Sequence, residues 1–235
     1  MTHFVIITAG GSGLRMGAEL PKQFLDLNGE PILRRTVDLF LSLPFDVQII
    51  IAMNRIHSQW WMNYCHKKNF FFPHYETPGG ITRFHSVKTA LKYVTYGSIA
   101  AVHDGVRPLV TKKQIIKLFE LAEQHPAVIP AIGMTDSVRI EDGNGYRITD
   151  RSQHIAIQTP QVFQSDVLLK SYETDYTESF TDDASVVEAK GYPLHFCSGE
   201  KYNIKITTPE DLSVARCLFG REILNPDLSF DSLVK

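Results

Sequence analysis

The strongest constraint on the fold is an alternation along the chain: short, continuously apolar runs are separated by segments whose apolar residues recur at helical spacing. The runs HFVIITA (3–9), VQIIIAM (47–53), NFFFPHYE (69–76), SIAAVHD (98–104) and AVIPAI (127–132) are rich in β-branched and aromatic residues and read as strands. Most lack polar alternation, so they are expected to be buried on both faces. Between them, Leu33, Val37, Phe40 and Leu41 form one helical stripe. Val87, Ala90, Leu91 and Val94 form a second, and Ile115, Leu118, Phe119 and Ala122 a third. A later helix is expected at TTPEDL, where Thr208 can cap, Pro209 suits the first turn, and Glu210 and Asp211 suit the positive helix end. Its apolar stripe is Leu212, Ala215 and Phe219. This order predicts an α/β fold with a mostly parallel sheet flanked by helices. The 235 residues suit one large domain, so residues 1–235 are read as a single unit.

One segment breaks the alternation. In DSVRIEDGNGYRITD (136–150), Val138 and Ile140, then Tyr146 and Ile148, flank a turn-rich EDGNG. That is a β-hairpin pattern where a crossover helix would be expected. An isolated two-stranded hairpin is marginally stable, so it either packs on its own domain or exchanges with a partner subunit.

Composition excludes several classes. With 26 acidic and 24 basic residues the formal charge is −2, without the basic excess of a general nucleic-acid or membrane-surface binder. Any anion site must be local. Cys65, Cys197 and Cys217 form no CxxC pair, which fits neither a disulfide framework nor a zinc ribbon and points to a reducing compartment. The nine histidines show no HxH or HExxH spacing. The N-terminal MTHFVIITAGG has no basic n-region and too short an apolar run for a signal or a span, so a cytoplasmic protein is expected.

The chemistry is concentrated after the first strand, in TAGGSGLRMG (8–17), with four glycines in ten residues. A P-loop needs GxxxxGK[ST], and no Lys-Ser or Lys-Thr follows here. A dinucleotide fingerprint needs GxGxxG, but Met16 stands at the third glycine, and the second strand ends without the ribose-binding acid. What remains is a loop whose backbone amides can approach phosphate oxygens, with Arg15 and, seven residues on, Lys22 of PKQF. Arginine offers a planar clamp and lysine a mobile point charge, a set suited to a polyphosphate. A plain tight turn beside two solvated cations explains the same residues equally well.

The residues as a set are more specific. TAGGSGLRM, PKQF, GGITRFHSV, VHDGVRP, DRSQHIAIQTPQVF, TDDASVVEA and NIKITTPEDL, spanning about residues 3 to 219, resemble the nucleotidyltransferases of sugars and alditols. More narrowly, they resemble the 2-C-methyl-D-erythritol 4-phosphate cytidylyltransferase family. The resemblance implies a Rossmann-like, glycosyltransferase-A-like fold with a protruding β-hairpin arm at about 136–152. It also implies attack of a phosphomonoester on the α-phosphorus of CTP, with loss of pyrophosphate. In such an in-line substitution the protein positions reactants and neutralises charge. The nucleophile is already anionic, and no Ser/His/Asp or Cys/His constellation is evident.

Carried over position by position, the resemblance assigns Arg15, Lys22 and Lys205 to the reacting phosphates as catalytic residues. CTP would be bound by Ala9, Gly10, Gly11, Gly13, Gly80, Ile81 and Ser86. Ile81 departs from the acid or other polar residue of many relatives, a mild change if the peptide backbone makes the contact. Arg83 is expected to support that loop. Asp104, Gly105, Arg107 and Thr159 would bind the acceptor, joined by Ser137 and Arg151 from a partner's hairpin in a homodimer built by exchange of that arm, with one apolar face buried between subunits. Threonine is usual at position 137. Mg2+ is implied as cofactor, held mainly by the triphosphate with Asp104 at most in its shell. Asp182 and Asp183 are read as first-turn acids of a helix with a structural role.

Two other readings share these residues. A ribitol-5-phosphate cytidylyltransferase would keep the glycine loop, PKQF and NIKITTP, and TDRSQHIAIQTPQVF favours the methylerythritol family over it. A non-catalytic nucleotide-binding regulator of the same fold would be expected to lose Arg15, Lys22 or Lys205, and all three are present.

Overall fold

The computed structural model describes residues 1–11, 20–143 and 145–219. Gly13 and Arg15 lie outside them. The chain opens with β1 (His3–Ala9), then a turn of 3-10 helix at Lys22–Phe24 and the short β2 (Asp26–Leu27) and β3 (Glu30–Pro31). There follow α1 (Ile32–Leu41), β4 (Gln48–Met53), α2 (Arg55–Lys67), β5 (His74–Pro78), α3 (Arg83–Ala90), β6 (Ile99–Asp104), α4 (Lys112–Ala122) and β7 (Ala127–Gly133). The second half holds β8 (Arg139–Glu141), β9 (Tyr146–Ile148), β10 (Ile155–Ile157), β11 (Gln161–Gln164), α5 (Ser165–Ser171), α6 (Asp183–Ala189), β12 (His195–Ser198) and α7 (Pro209–Leu218).

The main sheet has the order β10-β7-β11-β6-β1-β4-β5, with β12 also paired to β7. β1 is parallel to both β4 and β6, β4 to β5, and β12 to β7. β11 runs antiparallel to β6 and β7, and β10 antiparallel to β7. The sheet is mixed and mostly parallel. Its continuously apolar strands are explained by their two faces. Val5, Ile7 and Ala9 of β1 pack with α1, α2 and α4 residues such as Val37, Trp61 and Leu118, while Phe4 and Ile6 pack with Val87 of α3 and Leu168 of α5. Only strands covered on both sides can be apolar at every position. The helical stripes are buried as read, except that Leu41 is exposed at the end of α1 and Phe219 is only half-buried, just past the end of α7.

Three differences from the sequence reading are instructive. The run at 69–76 is not one strand: Asn69 takes a left-handed φ of 50° after α2, and β5 starts only at His74, beyond Pro73. Phe70 is nonetheless buried, which accounts for the apolar signal. Secondly, β10, β11 and β12 are too short to announce themselves as strands. Thirdly, the hairpin forms as a separate two-stranded sheet, but Ile140 stands opposite Arg147, Glu141 opposite Tyr146 and Arg139 opposite Ile148. Directly opposed residues share a face. Val138 and Ile140 are therefore on one face and Tyr146 and Ile148 on the other, which corrects the expectation of a single apolar face.

Candidate active site

β1 is a switch point, because the chain leaves it to β4 on one side and returns to β6 on the other. In open α/β sheets, ligands gather at the carboxyl ends of strands around such a point. Here Ala9, Met53 and Asp104 end β1, β4 and β6 at the same edge. A cleft of about 560 Å³ opens there, with Gly10, Gly11, Lys22, Gly80, Ser86 and Lys205 in its wall. A second cavity of about 260 Å³ adjoins it, lined by Arg107, Thr159 and Gln161 among others. Arg83, Asp104 and Lys205 line both, so they mark the junction.

The nucleotide side is built by backbone packing. Gly79 N–H donates to the Met53 carbonyl at 2.7 Å. A Cβ on Gly80 would fall 2.3 Å from His85 Cβ and 2.8 Å from its carbonyl carbon, so position 80 tolerates only glycine. The Gly80 N–H donates to Ser86 Oγ at 2.9 Å, and that hydroxyl donates to the Thr82 carbonyl at 3.1 Å. Ser86 thus staples the loop and keeps only acceptor capacity. Ala9 is fixed through its carbonyl by Gln23 Nε2 at 2.8 Å, and Gln23 is buried. That anchor sets the turn carrying Lys22, whose Cε lies 3.8 Å from where a Cβ on Gly11 would be. Ile81 lines the cleft mouth with its side chain 98% exposed.

At the junction, Asp104 Oδ2 lies 3.1 Å from both Arg107 Nε and Lys205 Nζ, and Oδ1 lies 3.6 Å from Arg83 Nε. Burial favours the neutral acid, but Arg83, then Lys205 and Arg107, outweigh it and hold the carboxyl far below the usual carboxylate range. Arg83 extends to Asp183 Oδ2 at 2.5 Å. Burial disfavours its charge, yet Asp183 and then Asp104 hold its pKa above the ordinary arginine value. Arg107 Nη1 donates to the Asn203 carbonyl at 2.8 Å, and Asn203 Nδ2 donates to the Thr159 carbonyl at 2.9 Å, which ties the Lys205 segment to the cavity floor.

Behind the junction is a fixed proton arrangement. His103 Nε2 lies 3.1 Å from the Arg107 carbonyl, which only accepts, so the ring proton is on Nε2. Nδ1 then accepts from Thr159 Oγ1 at 3.1 Å, and Oγ1 accepts from the Asp104 N–H at 3.1 Å. Burial pushes the His103 pKa down to about 4, against the pull of Asp104, so the ring is neutral.

Most of the expected residues converge here. Gly105 does not reach either cavity: a Cβ there would meet the Thr8 carbonyl oxygen at 3.0 Å and Leu33 Cδ1 at 3.2 Å, so it serves the packing of the loop against β1 and α1. Ser137 and Arg151 are exposed and line neither cavity, with Arg151 Nη1 donating to the Thr135 carbonyl at 2.6 Å. Asp104 is ill-suited to ligate Mg2+, since its oxygens are committed to three cations, and among the described residues no three His, Cys, Asp or Glu side chains could hold a metal together. Mg2+ fits this site only as a companion of the ligand's phosphates. The sequence reading missed His103 and gave Asp183 a mainly structural part. The first was signalled by its place beside Asp104 in VHDGVRP, the second by the pair of acids in TDDASVV.

An open, mostly parallel sheet with a cation-ringed cleft at its switch point defines the class: a nucleotide-binding group transferase. A sequence model of the IspD family, 2-C-methyl-D-erythritol 4-phosphate cytidylyltransferase, matches residues 3–221. The chain belongs to that family. It is 45% identical over 218 residues to the 2-C-methyl-D-erythritol 4-phosphate cytidylyltransferase of Bacteroides thetaiotaomicron, covering 93% of this chain and 100% of that one. It is 47% identical over 216 residues to the enzyme of the same name from Azobacteroides pseudotrichonymphae, covering 92% and 97%. Among solved structures, the 4-diphosphocytidyl-2C-methyl-D-erythritol synthase of Anaerococcus prevotii superposes with a TM-score of 0.79 at 28% identity, over 94% of this chain and 96% of that one.

Proposed function

We propose that this chain transfers CMP from CTP to 2-C-methyl-D-erythritol 4-phosphate, giving 4-diphosphocytidyl-2-C-methyl-D-erythritol and pyrophosphate in non-mevalonate isoprenoid precursor synthesis. The observation that carries the reading is the junction: two adjoining cavities, one sized for a nucleotide, share Lys205, Asp104 and Arg83. The reacting phosphorus belongs where the two ligands meet. An oxygen of the acceptor phosphate attacks the α-phosphorus, the bond to the bridging oxygen of the β-phosphate breaks, and pyrophosphate leaves with the electron pair. Lys205 stabilises the charge growing on the α-phosphate, and Lys22 with Arg15 that on the leaving group. Mg2+ arriving with the triphosphate supplies further neutralisation. Ser86 has only a lone pair to offer, which suits the amino group of cytosine and not the O4 of uracil.

In the second cavity, Asp104, Arg107 and Thr159 receive the acceptor. Its phosphate clamp is read as the partner subunit's Arg151, with the partner's Ser137, in a cytoplasmic homodimer joined by the hairpin arm. An arm with apolar residues on both faces suits enclosure by a second chain, because neither face can be left in water cheaply. The test offers purified protein Mg2+, CTP and either methylerythritol 4-phosphate or ribitol 5-phosphate, and follows pyrophosphate release. Methylerythritol phosphate is expected to be turned over faster by at least about tenfold, an acceptor discrimination of ordinary size for one well-placed contact. Turnover of neither acceptor refutes the function, and a preference for ribitol phosphate replaces the acceptor.

A further inference from the structure

We infer that Arg83, held by Asp183, is a positioning residue of the reaction, fixing the Asp104 carboxylate and through it the Lys205 ammonium; this rests on the cytidylyltransferase reading above. Arg83 is the first residue of α3, after the Thr82 cap, and Asp183 is the first residue of α6. Their 2.5 Å ion pair joins two helix starts on the same side of the sheet. Asp183 is wholly buried and receives a second contact from the Tyr172 hydroxyl at 2.6 Å, so it is itself immobilised.

The division of labour on Asp104 gives Arg83 its part. Arg107 and Lys205 both sit on Oδ2, and among the described residues Arg83 is the cation that faces Oδ1. Two cations on Oδ2 restrain rotation about the Cβ–Cγ bond through one oxygen. Arg83 facing Oδ1 restrains it through the other as well. Arg107 is anchored by the Asn203 carbonyl, whereas the Lys205 ammonium is partly exposed and is located by Oδ2. Without Arg83 the carboxylate can follow the lysine, and the ammonium drifts from the α-phosphate. Small misplacements of charged groups cost rate more than binding.

A merely structural ion pair makes a different forecast. Breaking a buried pair by removing one charge destabilises, and removing both relieves the penalty. Four variants separate the cases: Arg83→Gln, Asp183→Asn, the double variant, and Arg83→Lys. Each is assayed at saturating CTP and acceptor, with the active fraction normalised by CTP-binding stoichiometry and stability followed by Tm. Arg83→Gln is expected to lower kcat by at least about tenfold, while KM for CTP stays within about threefold. The double variant recovers most of the lost Tm but keeps the low kcat, and Arg83→Lys regains part of the rate. A double variant whose kcat returns to within about twofold of the wild type, or an unchanged kcat in Arg83→Gln, overturns the inference. The wild-type rate measured alongside tests the cytidylyltransferase reading separately.

Discussion

The Asp104 junction and the 139–148 hairpin both carry several charged side chains, yet they are built oppositely. The junction is a knot of charges with every member tied to another: Asp104 to three cations, Arg83 to two acids, Arg107 to a carbonyl. Among the described residues the hairpin strands pair only with each other, and Tyr146 and Ile148 are 72% and 77% exposed. A site that must hold charge in place needs low mobility and many partners. A segment left with apolar side chains in water is short of a partner.

The largest effects are expected where charge meets the reacting phosphorus. Lys205→Ala should lower kcat by about a hundredfold or more, as should Arg15→Ala, with Tm nearly unchanged. Equal losses of Tm and rate would make the lysine a structural cation. Next, Asp104→Asn leaves Arg83 and Arg107 without their shared carboxylate and should cost about 3 kcal/mol by denaturant titration, beside its loss of turnover. Stability within about 0.5 kcal/mol of the wild type would mean that the junction is far wetter than its burial implies.

Acid should act on the junction. The buried His103 takes a proton at about pH 4 when folded, but near its ordinary 6.5 when unfolded. The unfolded chain therefore binds more protons between those values, and this contribution, about 3 kcal/mol, is complete above pH 6.5 and lost as pH falls toward 4. Asp104, depressed in the fold, adds a further loss at still lower pH. Denaturation midpoints between pH 7 and 4 that do not decline would contradict a neutral His103 core.

Smaller stability effects, with a qualitative change of assembly, are expected in the arm. Ile148→Ser should shift Tm by no more than a few degrees, since the side chain is exposed in the single chain, yet dissociate the proposed dimer in sedimentation. Arg151→Ala should lower kcat/KM for the acceptor by at least about tenfold while leaving KM for CTP alone. A fully active monomer would remove the shared site. The smallest effect belongs to Ile81→Ala: with the side chain in solvent, CTP turnover should stay within about threefold, and a larger loss would show a side-chain contact to the nucleotide.

Much of this was legible beforehand, for identifiable reasons. β1, β4, β6 and β7 lie where the apolar runs placed them, because strands covered on both faces write their burial at every residue. The α7 start at Pro209, after a Thr208 cap that shares a box with Asp211, is equally local chemistry. The Lys22 and Lys205 positions were visible through motifs. The errors arose where the deciding contact is remote: Asn69 ends α2 by a backbone twist, and the faces of the hairpin follow a register that period-two spacing leaves open. Gly105, read as a ligand contact, carries a packing requirement that the sequence did not announce, since only the folded chain brings the Thr8 carbonyl against it.

By itself, then, the sequence determined the layered fold, the glycine-lined strand end and the family, all written in short-range patterns of burial, capping and spacing. Tertiary structure decided the electrostatics. Arg83 and Asp183 are a hundred residues apart, and neither carries a local sign of the other. Their meeting depends on α3 and α6 packing side by side on one face of the sheet, where low exposure turns two ordinary charges into a fixed pair beside Asp104.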